Sequence, residues 1–298
     1  MHPIKVYTMN EVDSIFSSFS SWRGHREGLP KSTAVFFVPT MGALHQGHGS
    51  LIKSAREMAP EGAEVVVSVF VNPTQFNDTA DFEAYPSTVD SDVDLAFSAG
   101  ASSLVFPQAH ELYPKGVPDE AEPTDYGTLT RLWEGEHRPG HFDGVVAVVR
   151  SLFHQVGPDW AFFGEKDWQQ LAVIETMVRD LNLDISVHRV PLVREPDGLA
   201  MSSRNRNLTA EERQKALSLS RSLEDAKEKI SQGTTAASQL KQSIKDRITA
   251  ESGMQIDYIS ICDPISLQEI EEVKGRTLIA LAVKIGSSRL IDNCIVED

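Results

Sequence analysis

The chain has 298 residues, 41% of them hydrophobic, and 28 Lys and Arg stand against 43 Asp and Glu for a formal net charge of −15. That length holds a large core or two domains, and the acidic balance argues against a general nucleic-acid surface, which needs a basic field. Two cysteines, Cys262 and Cys294, are too few for a disulfide framework and point to a reducing compartment. The apolar runs fall short of the ~18 residues a membrane span needs, so a cytoplasmic protein without a membrane or nucleic-acid partner is expected.

Residues 4–7 read as a short strand. Val12, Ile15, Phe16, Phe19 and Trp22 share one helical face, with Thr8 or Asn10 as N-cap. Residues 34–38 form a buried strand. It runs into Pro39, Thr40, Met41, Gly42, Ala43, Leu44, His45, Gln46, Gly47 and His48, and a helix begins at Gly49 and Ser50. A helix N-terminus offers backbone N–H groups and positive dipole potential, which suit phosphate. Glycine permits close approach, and His45 and His48 could donate hydrogen bonds to a phosphoryl group. Two imidazoles three residues apart on a helix could also share a zinc ion. No third ligand follows at a familiar spacing, and no Glu stands between them as in the helical protease motif. A glycine-rich turn with structural histidines is the third reading.

Residues 64–71 are the next buried strand, ending in Asn72, Pro73, Thr74, Gln75, Phe76 and Asn77. Asn and Gln supply donors and acceptors without charge, which suits a hydroxy acid or an amine. A helix over 87–99 follows; Asp90, Asp92 and Asp94 on it either help to hold Mg²⁺ or, the favoured reading, lie on an exposed face. Residues 103–106 are a strand. Residues 133–143, with His137, Arg138 and His141 among Gly135, Pro139 and Gly140, read as a mobile loop whose cations could close over anions. Helix 144–156 turns Val145, Val148, Val149, Leu152 and Phe153 inward, and strand 159–163 ends in Gly164, Glu165, Lys166 and Asp167. Lys166 is placed to meet phosphate, or pairs with a neighbouring acid at the surface. Helix 168–181, carrying Gln169 and Gln170, and strand 186–190 close the series.

Alternation of this kind implies a parallel sheet covered on both faces, with ligands beyond the carboxyl ends of the strands. There is no Gly-x-Gly-x-x-Gly fingerprint and no P-loop. After residue 192 the pattern changes. Val193, Arg194 and the run Leu199, Ala200, Met201, Ser202, Ser203, Arg204, Asn205, Arg206 bring two hydroxyls next to guanidinium groups. Helix 209–231 starts with Thr209 and Glu212 in a capping box. A second helix covers 236–250, and strands are expected over 256–261, 277–283 and 290–296. The fold class is therefore α/β: a Rossmann-like parallel sheet over 1–192 and a smaller α+β domain over 193–298, expected to act as a lid.

Four of these segments, 39–48, 71–76, 163–170 and 198–205, occur in an order and at separations that resemble the pantoate–β-alanine ligases, a family also called pantothenate synthetases. The likeness runs from about residue 4 to about residue 296. The first and last segments are local versions of signatures shared by nucleotidyltransferases of the HIGH type. The resemblance implies that pantoate's carboxylate attacks the α-phosphate of ATP, releasing pyrophosphate, and that β-alanine then displaces AMP from the pantoyl adenylate. It implies an ATP site along Pro39 to His48, with His48 as proton donor, and along Gly164 to Asp167, Met201 to Arg204 and the backbone of Val193. Gln75 matches a residue shared by pantoate and β-alanine, and Gln170 a second pantoate contact. Asn72, Arg138 and His141 match residues near the substrates. Mg²⁺ dependence and a homodimer are implied as well. Two rival readings are another adenylate-forming enzyme of the superfamily and a non-catalytic nucleotide-binding protein of the same fold.

Overall fold

Continuous apolar runs make parallel strands here because both of their faces are covered. The computed structural model describes residues 14–76, 82–83, 85–118 and 120–297. Six strands pair in the order β1-β4-β3-β2-β5-β6, all in parallel: β1 (Ile15–Phe16), β2 (Val35–Thr40), β3 (Glu64–Val69), β4 (Ser103–Val105), β5 (Trp160–Gly164) and β6 (Ser186–Val190). Their helices are α1 (Phe19–Gly28), α2 (Gln46–Met58), α3 (Val89–Ser98) and α4 (His141–Val156). Alternate strand residues face opposite ways. Phe36, Val38, Val65, Val67, Leu104 and Phe162 pack with Leu51, Ile52 and Ala55 of α2 and Val93 and Ala96 of α3. Phe37 and Phe163 meet Phe153 of α4, each with ring centroids 6.4 Å apart. Each Val, Leu, Ile or Phe among them that is fully buried contributes about 1.5–3 kcal/mol.

The sheet grows from β2 to β3 and β4 on one side and to β5 and β6 on the other. The order thus reverses between the paired strands β2 and β5, where open α/β sheets bind ligands beyond their carboxyl ends.

The chain divides into two compact units. The first holds the described residues up to 125 together with 138–165 and 173–191; the second holds 126–137, 166–172 and the described residues from 192 onwards. Helix α5 (Trp168–Asp180) contributes residues to both. In the second unit α6 (Ala210–Ser231) and α7 (Ala237–Thr249) cover an antiparallel sheet of β7 (Met254–Cys262), β8 (Thr277–Ile285) and β9 (Ser288–Val296). Leu217, Leu223, Leu240, Ile244, Ile261, Ile279, Leu281 and Leu290 form its core. Thr209 and Glu212 make the expected capping box at the start of α6.

Four local expectations change. Ile15 and Phe16 are not on a helix: they pair with Leu104 and Val105, and α1 starts only after Ser18, whose hydroxyl accepts from Ser21 N–H. The expected strand 4–7, the caps Thr8 and Asn10, and Val12 lie outside the described residues, as does Asn77. α2 begins at Gln46 rather than Gly49, which puts His45 at the N-cap and His48 in the first turn. Residues 133–143 are not a mobile loop: Glu134–His137 is a helical turn, and α4 begins at His141, whose side chain is buried. Asp92 is not on an exposed face; it is 1% exposed.

Candidate active site

β2 ends at Thr40, whose hydroxyl donates to Ser68 C=O and accepts from Gly42 N–H. Gly42 and Ala43 then turn through positive φ, at +83° and +50°. A Cβ on Gly42 would stand 3.0 Å from Val69 and 3.1 Å from Asp92 on top of that strain. Successive amides in such a turn make an anion-binding concavity, and here the anion belongs to the protein. Asp92 accepts Ala43 N–H at 3.0 Å on Oδ2 and Leu44 N–H at 2.7 Å on Oδ1, with the Thr88 hydroxyl on Oδ1 at 2.9 Å.

Immediately after this turn the two histidines cap α2 reciprocally. His45 Nδ1 accepts from Gly47 N–H (3.1 Å), and His48 Nδ1 accepts from His45 N–H (3.2 Å). Their rings lie 4.1 Å apart, centroid to centroid. With Nδ1 an acceptor, each ring carries its proton on Nε2. The half-buried pair is thereby fixed at a helix N-terminus, beyond the carboxyl end of β2. Among the described residues, no group of three or more His, Cys, Asp or Glu side chains is placed to hold a metal ion.

The segment after β3 forms a second cluster in the same unit. Asn72 is 1% exposed and uses its whole amide inside the protein. Nδ2 donates to Gln75 Oε1 and to Gly144 C=O, both at 3.1 Å. Oδ1 accepts from the Tyr113 phenol at 2.6 Å and the Thr74 hydroxyl at 3.1 Å. Gln75 then turns Nε2 towards Met41 Sδ. Its backbone carbonyl is held by Arg138 Nη2 (3.1 Å) and by the His141 ring (Nδ1, 2.9 Å). Only glycine fits at 144, because a Cβ there would lie 2.3 Å from Thr74 O. The structure thus brings Met41, Asn72, Gln75, Arg138 and His141 together. Arg138 and His141 grip the backbone of Gln75. Burial pushes the Tyr113 phenol above its ordinary pKa against the pull of its bonds to Thr74 and Asn72, so it stays a donor.

Gly164 closes β5 in the first unit, and a 3-10 turn, Glu165–Asp167, follows. In the second unit Lys166 pairs loosely with Asp167 at 3.9 Å, and its backbone carbonyl accepts from Asn293 Nδ2 at 2.9 Å. Gln169 spends its amide on Glu134 N–H and the carbonyls of Leu129 and Leu132, while Gln170 stays half-buried. Val193 C=O accepts from Met201 N–H. Ser202 caps the turn Ser203–Asn207 by accepting from Arg204 N–H. Arg194 fixes this strap: it grips Asp292 through two bonds, 2.8 and 2.9 Å, and donates to Gly198 C=O. Asp292 and Asn293 are adjacent on β9, so one strand anchors both the Lys166 backbone and the 193–204 strap. Burial holds the Asp292 carboxyl above its usual pKa even with Arg194 against it.

Sequence reasoning missed Asp92, Tyr113, Arg194, Asp292 and Asn293 as supports. Asp92 alone carries a visible signal, for its helical phase places it with Val89, Val93 and Ala96 on the apolar stripe.

Known proteins provide an independent comparison. The family model for pantoate-beta-alanine ligase matches residues 8–295. A pantothenate synthetase of Heliobacterium modesticaldum is 50% identical over 289 residues, covering 97% of this chain and all of that protein. The crystal structure of pantothenate synthetase from Thermus thermophilus superposes with a TM-score of 0.86 at 41% identity, covering 94% of this chain and 98% of that one. The pantoate-beta-alanine ligase of Francisella tularensis, solved with beta-gamma ATP and beta-alanine, gives 0.75 at 33% identity over 94% and 97%. A match of this breadth, on a fold that has the expected parallel sheet and antiparallel C-terminal sheet, decides the family: the chain belongs to the pantoate–β-alanine ligases.

Proposed function

We propose that this chain carries out its family's reaction, the ATP-dependent condensation of pantoate with β-alanine to pantothenate. A carboxylate oxygen of pantoate attacks the α-phosphorus of ATP, the bond to the bridging oxygen breaks, and pyrophosphate leaves. The amine of β-alanine then attacks the acyl carbon of pantoyl adenylate, loses a proton and displaces AMP. No side-chain nucleophile is required, because adenylation itself activates the acid.

The observation that carries this reading is the reciprocal cap of His45 and His48, which fixes both imidazoles at the start of α2, beyond the carboxyl end of β2. Attacking acid and triphosphate are both anionic, and transition-state charge spreads over the phosphate oxygens. His45, His48, Lys166, Ser202, Ser203 and Arg204 are assigned to that charge. Gln75 and Gln170 are assigned to pantoate, with β-alanine sharing Gln75. Asn72, Arg138 and His141 act by holding Gln75. Positioning of this kind is worth about 7–11 kcal/mol in favourable cases.

Mg²⁺ is assigned to the phosphate oxygens of ATP and to water, because this ion asks few ligands of a protein. Asp92, buried with three protein donors on its oxygens, does not fit as one of them. When bound, Mg²⁺ supplies charge neutralisation to the triphosphate. A cytoplasmic homodimer completes the reading; the mass in solution by light scattering tests the dimer.

The decisive experiment incubates the purified protein with ATP, pantoate and β-alanine and follows AMP and pantothenate. Pyrophosphate–ATP exchange that depends on pantoate and not on amino acids is expected. Exchange driven by an amino acid would favour the rival adenylate-forming enzyme, and ATP binding without turnover would favour a non-catalytic binding protein.

A further inference from the structure

An amide side chain looks almost the same from both ends, so a glutamine that must present one end to a substrate needs neighbours that tell oxygen from nitrogen. Gln75 has such neighbours, and they are arranged in series. Gly144 C=O can only accept, so Asn72 must aim Nδ2 at it, at 3.1 Å. The opposite end, Oδ1, then meets the Tyr113 phenol at 2.6 Å and the Thr74 hydroxyl at 3.1 Å. The second Nδ2 hydrogen of Asn72 reaches Gln75 Oε1 at 3.1 Å, which leaves Nε2 as the end of Gln75 turned towards Met41.

The geometry points to Tyr113 as a positioning residue of the reaction: its phenol fixes the Asn72 amide, and Asn72 fixes which end of Gln75 meets the substrate. This inference rests on the assignment of Gln75 to pantoate and β-alanine. Tyr113 is 8% exposed and follows the short helix Ala109–Leu112. It belongs to none of the four segments that mark the family. Its partner Asn72 is 41 residues away in the chain. The phenol remains protonated because burial holds its pKa up, so its donation to Oδ1 persists across the neutral range. Thr74 reinforces the same end of Asn72 and lies 3.1 Å from the phenol oxygen.

Tyr113→Phe keeps the ring and removes the donor. One neutral hydrogen bond corresponds to about a three- to tenfold effect. The Michaelis constant for pantoate, for β-alanine or for both is expected to rise by that factor, while that for ATP and the melting temperature hold steady. The discriminating comparison is with Gln75→Ala. That variant should impair the same substrates, and adding Tyr113→Phe to it should change nothing further. Thr74→Val provides the second variant should Tyr113→Phe fold poorly; it should move the same constants in the same direction by a smaller factor. A Tyr113→Phe effect that persists undiminished in the Gln75→Ala background would show ordinary structural damage and overturn the relay. So would unchanged constants for both pantoate and β-alanine in Tyr113→Phe. If Gln75→Ala itself spares both substrates, the assignment of Gln75 fails first and the relay loses its function, a result distinct from either of the others.

Discussion

In the parallel-sheet unit the segments after β2 and β3 are held by uncharged amides and hydroxyls, by an arginine and an imidazole on one carbonyl, and by a carboxylate whose protein partners include two backbone amides. In the antiparallel unit neutral amides such as those of Asn293 and Gln169 also serve, but two ion-pair clusters stand beside them. Arg194 grips Asp292, and Arg289 grips Glu134 through Nη1 and Asp257 through Nε at 2.6–2.7 Å. The difference sets how each unit fails. A neutral hydrogen bond is worth about 0.5–1.5 kcal/mol and mostly fixes orientation. A buried ion pair adds little net stability when intact, but losing one partner strands a charge in a place water cannot reach. Damage to the first set should therefore appear in kinetic constants, and damage to the second in stability.

Arg289→Ala tests the charged side most severely. Glu134 is 8% exposed, and the Tyr258 phenol, pushed well above its usual range by burial and by Glu134, lies within 3.3 Å of that carboxylate. Removing Arg289 leaves Glu134 and Asp257 without their shared cation, although Lys284 stays 3.5 Å from Asp257. A loss of about 3–5 kcal/mol is expected, read by urea titration. A loss below about 1 kcal/mol would mean that the two units do not differ in this way.

Lys166 is the exception that sharpens the comparison, a cation of the antiparallel unit whose ion pair with Asp167 is loose and whose charge reaches Asp292 only through space. Its nearest carboxylate is 3.9 Å away, and its anchoring bond uses its backbone carbonyl. Lys166→Ala should leave unfolding within about 0.5 kcal/mol of the parent. Pantoate-dependent pyrophosphate release should fall by about 100- to 1000-fold. Near-normal release would remove Lys166 from the phosphate-handling set.

Asp92 is the carboxylate exception on the other side. Asn at this position keeps one acceptor and turns an N–H₂ group towards an amide that is also a donor. Asp92→Asn should cost about 2 kcal/mol, as bonds to charged groups are worth about 1.5–3. Because those amides belong to the turn just before His45, ATP affinity should weaken along with stability. A stability loss with unchanged ATP affinity would confine Asp92 to the fold.

The strands, the long helices and the Thr209 cap were legible because they rest on local pattern: continuous apolar runs, helical phase and a hydroxyl three residues before a Glu. The four motif segments were legible as peptides. Their supports were not, since Asp92 meets Ala43 across 49 residues, Tyr113 meets Asn72 across 41 and Asn293 meets Lys166 across 127. No periodicity encodes such pairings. Ile15 and Phe16 misled for a related reason. A two-residue strand has no pattern of its own, and only β4, far along the chain, makes it one. Asp92 shows what can still be recovered, for an acid in phase with an apolar stripe is a buried acid, and a buried acid needs partners.

Alkaline pH gives the gentlest test, because it reaches the two units in sequence. Both cysteines belong to the antiparallel unit, and burial pushes each thiol from 9.0 up to about 12. A thiol whose folded pKa lies above its unfolded value gives its full stability below pH 9 and loses it as pH rises towards 12. At about pH 9.5 the loss amounts to about 1 kcal/mol for each thiol relative to neutral pH. Tyrosines, including Tyr113 in the parallel unit, titrate from a higher starting point of 10.0, so the thiols dominate the first step. Between about pH 8 and about pH 9.5 urea titration should therefore weaken the unit that contains β7 and β9 first, as read by hydrogen exchange of Ile261 and Ile295. Exchange in β2 and β3 should lag behind. Replacing both cysteines with alanine should flatten this slope, whatever the substitutions cost at neutral pH. A slope unchanged in that variant would assign the alkaline loss to other groups and remove this distinction between the two units.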